Sequence, residues 1–273
     1  MPIPEHQLQN WSSLGAQRRS QDTYTSIKSA LRVGSESIGM ECDVYLQGSY
    51  PNYTNIRADG DVDVVVEARN TRGTKVEWKR IRTLTKFALI NYYGQGKVND
   101  NRSGKCIKVT GSGNYLNADV VPCLRHNPRT GLMSLGSQVE GIKFWNNPGT
   151  QIVNYPKLHL KNGQEKNKDC QEYYKPTIRV FKNARNKANN NFPSYFLECM
   201  LYNVPSNIYS SSYSRSFPRI LEFLNQAHRD GSLVIFRCQN QQEYIFGPEP
   251  HQINISEALV LINQLVDLWN NWT

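Results

Sequence analysis

Apolar residues first recur at helical spacing. Tyr24, Ile27 and Leu31 fall on one face at 3.6 residues per turn, so the first forty residues are expected to be mainly helical, with that face against a sheet. The period then drops to two: Cys42-Asp43-Val44-Tyr45-Leu46 alternates as a half-buried strand does and runs into a turn at Gly48-Ser49. Over residues 61–68, Val62, Val64 and Val66 alternate with Asp61, Asp63 and Val65. This predicts a strand with two carboxylates on one face and valines on the other. Helical spacing returns over 75–93, with Trp78, Ile81, Leu84 or Thr85 and Ala88 or Leu89 as the inward stripe. Two strands are expected next, over 106–110 and 115–121, split by the turn formers Gly111-Ser112-Gly113-Asn114.

Residues 125–170 are rich in Asn, Gly, Pro and Lys, with short β-prone pieces at 141–145 and 151–155, and read as hairpin and loop. Beyond them the pattern is helical. One helix spans 173–188 with Ile178, Phe181 and Ala184 or Arg185 inward, where Pro176 is tolerable only in the first turn. A second starts at Ser194, read as its N-cap, and runs to about residue 203; a third covers 214–229. Residues 233–238 and 244–247 are expected to pair as a hairpin, and Ser256 to open a final amphipathic helix through Leu259, Ile262, Leu265, Val266 and Trp269. The fold class is therefore α/β (α+β) and bilobal: a mixed lobe over 1–165 and a mainly helical lobe over 166–273.

Composition narrows the partners. The 273 residues, 38% of them hydrophobic, suffice for a sizeable core. The net charge of +9 favours an anionic partner: nucleotide, nucleic acid or acidic membrane. No window approaches the roughly 20 apolar residues of a membrane helix and the N-terminus lacks a signal-peptide core, so a cytoplasmic protein that makes no membrane contact is expected. Six cysteines without a CxxC pair, and five histidines without metal spacing, point to reduced thiols and away from zinc.

The chemistry lies with the carboxylates. Asp61 and Asp63, two residues apart on one strand, sit about 7 Å apart at the backbone, close enough to share hard cations. Asp119, inside the apolar run Ala118-Asp119-Val120-Val121, is costly there unless it binds something; the alternative is a structural acid that caps the turn before Pro122. Gly48-Ser49 offers a close-approach backbone and a hydroxyl, as anion-binding turns do. Lys182, among Arg179, Arg185 and Lys187, suits a polyphosphate, or else belongs to a solvated helix face. Tyr195 is a base-stacking ring or an ordinary core aromatic.

The run Gln47-Gly48-Ser49, then Thr54-Asn55-Ile56-Arg57, then Asp61-Val62-Asp63-Val64-Val65-Val66 resembles the signature of the bacterial CD-NTases. These are the cyclic GMP-AMP synthase and DncV-like nucleotidyltransferases of anti-phage systems. Asp119-Val120-Val121-Pro122 is similar to the family's third metal-ligand strand, and Ile178–Lys182 and Pro193–Glu198 to its nucleotide-binding helices. The resemblance implies a DNA polymerase β-like core and two Mg²⁺ (or Mn²⁺) ions on Asp61, Asp63 and Asp119. It also implies nucleotide contacts from Gln47, Gly48, Ser49, Lys182, Ser194 and Tyr195. The implied activity is template-independent synthesis of cyclic di- or trinucleotides from nucleoside triphosphates. A separate effector protein would receive the product, and an activating peptide, ligand or nucleic acid would complete the set of partners. A linear oligonucleotide synthase, a catalytically inactive nucleotide- or RNA-binding module and a small-molecule nucleotidyltransferase remain as alternatives.

Overall fold

The structure is a computed structural model that describes every residue except 39–40, 59, 70–76, 128–138, 147–148, 250 and 273, with backbone only over 34–38. The chain begins with α1 (Glu5–Trp11) and α2 (Gln17–Ile38), then β1 (Cys42–Gln47), the single turn α3 (Ser49–Asn52) and β2 (Asp61–Ala68). Next come α4 (Trp78–Tyr93), β3 (Val98–Asp100), β4 (Ile107–Val109), β5 (Asn117–His126), β6 (Gly141–Trp145) and β7 (Gln151–Asn154). Five helices complete it: α5 (Pro156–Asp169), α6 (Tyr174–Lys187), α7 (Ser194–Tyr202), α8 (Tyr213–Arg229) and α9 (Ile255–Asn270). The mixed α/β character is as expected. Among the described residues no helix is long and apolar enough to cross a membrane.

By internal contacts the chain forms two compact units: residues 16–51 with 59–157, and residues 1–15 with 52–58 and 158–273. This differs from the division into 1–165 and 166–273. Helix α1 belongs to the second unit because Ile3 and Leu8 are buried in its core, and residues 52–58 because Tyr53 and Thr54 hydrogen-bond to Arg179, Lys182 and Glu198.

In the first unit the sheet runs β1-β2-β5-β4-β3, with β6 on the second half of β5 and β7 on β6. Strands β2 and β5 are parallel, the other pairs antiparallel. The alternation in β2 works as read on one side: Val62, Val64 and Val66 are buried with Ile27 and Leu31 of α2 and with Ala88 and Leu89 of α4. Each valine contributes roughly 1.5 kcal/mol or more by leaving water. The carboxylate face differs from expectation, because Val65 is also buried, with Val121, Cys123, Ile142 and Phe144, under a second small core. Strand β2 therefore meets solvent on this face only at Asp61 and Asp63.

In the second unit α6, α7, α8 and α9 pack around one apolar core. Pro176 does lie in the first turn of α6. Four expectations need correction. Residues 156–169, read as loop, form α5; Pro156 is its first residue, where a missing N–H costs nothing. Ser194 is the first helical residue of α7 and Pro193 its cap. Asn254 caps α9, its side chain accepting from the Ser256 N–H. Residues 232–235 form a short 3-10 helix, which leaves the single bridge Arg237–Tyr244 of the expected hairpin. All six cysteines are free thiols, five of them buried.

Candidate active site

Strand register builds the site. Gln47 on β1 stands opposite Asp63 on β2, Asp63 beside Asp119 on β5, and Asp119 opposite Lys108 on β4. Four neighbouring strands thus place Gln47, Asp63, Asp119 and Lys108 in one row across the sheet. Neighbouring strands are about 4.8 Å apart, and Asp61 lies two residues from Asp63 on the same face. The register therefore places Asp61, Asp63 and Asp119 at neighbouring positions on one face of the sheet.

Gly48 ends β1 at φ +73°, a backbone conformation that glycine adopts at little cost. A Cβ there would lie 2.3 Å from Asp63 Oδ2, so the missing side chain is what lets the turn approach the carboxylate. Ser49, half-buried, opens α3 directly after it.

The electrostatics of the row are uneven. Lys108 Nζ lies 3.4 Å from Asp119 Oδ1 and 3.7 Å from Asp61 Oδ2, and the charge of Asp119 above all raises the lysine pKa. Asp119 Oδ1 is nonetheless buried without accepting a hydrogen bond among the described residues, as is Gln47 Oε1. Cys106, just ahead of β4, is pushed up to about 12 by burial and then by Asp119, so it stays a thiol. Further along β2, Glu67 is fully buried but answered: it accepts from Arg125 Nε at 2.6 Å and Tyr45 Oη at 3.0 Å, with Lys157 Nζ at 3.6 Å.

The donor set fits divalent cations. It offers hard carboxylate oxygens, one of them buried and short of a partner, beside a turn whose missing Cβ keeps Asp63 clear. Among the described residues no three His, Cys, Asp or Glu side chains already converge as a preformed metal cluster.

The expected nucleotide contacts in the second unit have different surroundings. Lys182 is 1% exposed, its ammonium 2.8 Å from Glu198 Oε1 and donating to the Thr54 carbonyl at 3.0 Å. Of the basic residues read together on this helix, Arg179, Lys182 and Arg185 are buried and Lys187 is exposed, so the alternative of a solvated face does not hold for the first three. Ser194 Oγ accepts from Arg185 NH1 at 2.9 Å. Tyr195, half-buried, stacks on His159 with centroids 5.4 Å apart, and its hydroxyl accepts from Asn240 Nδ2 at 3.3 Å. Sequence reasoning missed Lys108, Glu198 and the part played by Thr54. For Lys108 the only signal was its i+2 relation to Cys106 in a strand of unknown register.

Comparison with known proteins extends the geometry. Residues 161–270 match the family model of the cGAS/DncV-like nucleotidyltransferase C-terminal helical domain. The chain is 38% identical to a cyclic UMP-AMP synthase from Rhodothermus marinus, over 100% of this chain and 99% of that one. It is 32% identical to a cyclic nucleotide synthase from Staphylococcus haemolyticus, over 100% of both. The structure of the Rhodothermus marinus enzyme with Apcpp and Upnpp superposes with a TM-score of 0.85, covering 99% of this chain and 98% of that one. A cyclic dinucleotide synthase from Elizabethkingia meningoseptica, solved with GTP and Apcpp, gives 0.82 at 28% identity and 98% coverage of each chain.

Proposed function

The chain belongs to the cGAS/DncV-like nucleotidyltransferase (CD-NTase) family, and from that premise we propose that it joins nucleoside triphosphates, without a template, into a cyclic di- or trinucleotide with release of pyrophosphate. The product would signal to a separate effector protein in bacterial anti-phage defence. The observation that carries the reading is the cross-sheet row, with Asp119 Oδ1 buried and short of a hydrogen bond beside Asp63. Full-length similarity to cyclic nucleotide synthases favours a ring over a linear product.

Asp61, Asp63 and Asp119 would hold two divalent ions, Mg²⁺ or Mn²⁺. When bound, these neutralise triphosphate charge and make the acceptor hydroxyl more acidic. The chain's own groups position the reactants. A ribose hydroxyl of the acceptor attacks the α-phosphorus in line, the new O–P bond forms, and the bond to the pyrophosphate oxygen breaks. The hydroxyl proton passes to Asp119. The Gly48 backbone and the Ser49 hydroxyl receive phosphate oxygens, and Gln47, whose Oε1 lies at the end of the row, orients a substrate hydroxyl or amine. Tyr195 serves as a platform for a base, supported by its His159 stack and its hydrogen bond from Asn240. Stacking of this kind contributes roughly 1–3 kcal/mol and tolerates different bases. The Ser194 hydroxyl, which accepts from Arg185, keeps its proton for a phosphate oxygen.

Incubation with each nucleoside triphosphate, alone and in pairs, followed by phosphatase and chromatography, tests this. Phosphatase-resistant products are expected from the wild type, and loss of pyrophosphate release with an intact fold from Asp61→Asn/Asp63→Asn. A ladder of phosphatase-sensitive products would overturn the cyclic reading; wild-type turnover in the double variant would overturn the site.

A further inference from the structure

Residues 52–58, between the Gly48-Ser49 turn and Asp61, are built into the second unit by buried polar contacts. Thr54, Asn55 and Ile56 are each 1% exposed or less. Arg179 donates through NH1 to the Tyr53 carbonyl and through Nε to the Ser12 carbonyl at 2.5 Å. The Gly15 N–H donates to the Asn55 carbonyl at 3.1 Å, and a Cβ on Gly15 would come within 2.5 Å of the Ile56 carbonyl oxygen. At the centre is a closed triangle. Lys182 Nζ donates to the Thr54 carbonyl at 3.0 Å and to Glu198 Oε1 at 2.8 Å, while Thr54 Oγ1 donates to the same carboxylate oxygen at 2.9 Å. His159 Nε2 lies 3.7 Å from the other oxygen, Oε2.

A lysine and a glutamate, 1% and 6% exposed at their side chains, are an expensive way to stabilise a helical core. Apolar residues of similar volume are often as good or better, because both charges lose their hydration. What the pair supplies that apolar residues cannot is a directional hold on one backbone carbonyl and one hydroxyl. Both belong to Thr54, which lies in the stretch that covalently joins the Ser49 turn to the carboxylate strand. We propose that Lys182 and Glu198 are positioning residues for nucleotidyl transfer: through Thr54 they fix residues 53–58, the tether between the phosphate-binding turn and Asp61. The proposal rests on the functional reading above, and it adds an anchoring task to the phosphate contact that the family resemblance implies for Lys182.

Four variants test it, read by hydrogen exchange over residues 53–61, by kcat and KM for pyrophosphate release, and by thermal melting. Thr54→Val removes only the hydroxyl at nearly constant volume. It is expected to accelerate exchange in that peptide and to lower kcat about 100-fold, as an ångström-scale misplacement does, with KM little changed. Thr54→Ser keeps the hydroxyl and is expected to restore both. Lys182→Met/Glu198→Leu replaces the pair by apolar groups and is expected to melt close to the wild type while kcat stays low. If the double variant does not fold, Thr54→Val against Thr54→Ser still decides. Wild-type exchange and turnover in Thr54→Val, or turnover recovered along with melting in the double variant, would overturn the proposal. So would a rise in KM for Lys182→Met with Thr54→Val kinetically normal, the pattern of a direct phosphate ligand. A wild type that releases no pyrophosphate from any nucleoside triphosphate, with the exchange differences intact, would instead sink the functional reading and leave the anchor standing.

Discussion

Gly48→Ala separates backbone strain from displacement of a catalytic group. At φ +73° a Cβ costs about 1–2 kcal/mol, and at about 2–4 °C per kcal/mol for a chain of this size that is a loss of roughly 2–8 °C in Tm. The added carbon would also lie 2.3 Å from Asp63 Oδ2. Carbon and carbonyl-type oxygen rest comfortably at about 3.3 Å, so the carboxylate must withdraw by about 1 Å. A shift of that size in a group that positions the reactants lowers turnover about 100-fold. Gly113→Ala is the matched control: its φ is +60° and no atom lies within 4 Å of the new Cβ, so it carries the strain without the collision. Melting curves and pyrophosphate-release kinetics on the two variants are expected to show similar losses of stability, and loss of turnover in Gly48→Ala alone. Mn²⁺ binding should weaken in Gly48→Ala as well. Equal turnover in the two variants would refute the claim that Gly48 exists to clear Asp63.

Two further outcomes follow from the charged groups. Lys108 competes for Asp61 and Asp119 from a half-exposed position, so Lys108→Met is expected to bind Mn²⁺ about two- to fivefold more tightly, the size of such an ion pair. An electron paramagnetic resonance titration would show it, and unchanged or weaker binding would remove Lys108 as a competitor. Burial alone would push Glu198 up from its ordinary 4.5, but the Lys182 charge and the hydrogen bonds of His159 and Lys182 bring it down to about 2. A depressed carboxylate stabilises the fold above its unfolded pKa, and that contribution, at most roughly 3 kcal/mol, is lost as pH falls from about 4.5 towards 2. The stability gap between wild type and Glu198→Gln should therefore be widest near neutral pH and narrow below about pH 4; a constant gap would contradict the assignment.

What the sequence disclosed was what local spacing determines. Asp61 and Asp63 declared themselves because a two-residue period puts them on one face whatever the rest of the fold does. Asp119 stood out as an acid in an apolar run. Lys108 did not, because only the antiparallel register of β4 on β5 brings it opposite Asp119, and nothing in three strand residues sets that register. Helix α6 misled for a related reason. Ile178, Phe181 and Ala184 mark one apolar stripe, which implies that the charges face water, yet the helix is buried nearly all round. The carbonyls and carboxylate that answer Arg179 and Lys182 come from residues 12, 53, 54 and 198, which no local window contains. In α5, Gly163 looked like a loop residue. It sits in the helix because a Cβ there would meet Gln239 Nε2 at 2.4 Å, a contact made by a residue far along the chain.

Burial of charge by itself does not mark the site; the buried carboxylates differ in how many close donors each one meets. Glu67 lies on the same face of β2 as Asp61 and Asp63 and is the most deeply buried of the three, yet a guanidinium, a phenol and an ammonium meet it. Glu198 is met by an ammonium, a hydroxyl and an imidazole. Both are finished structures in which an added cation would find nothing to improve. Asp119 Oδ1 and Gln47 Oε1, in one cross-sheet row, are buried oxygens that accept no hydrogen bond among the described residues, although the half-exposed Lys108 ammonium stands 3.4 Å from the first. A buried acceptor without a donor costs about 1–3 kcal/mol. Two of them in a row with Asp63, beside a turn that needs glycine to clear that carboxylate, are explained together if the missing partners arrive with the substrate and its metal ions.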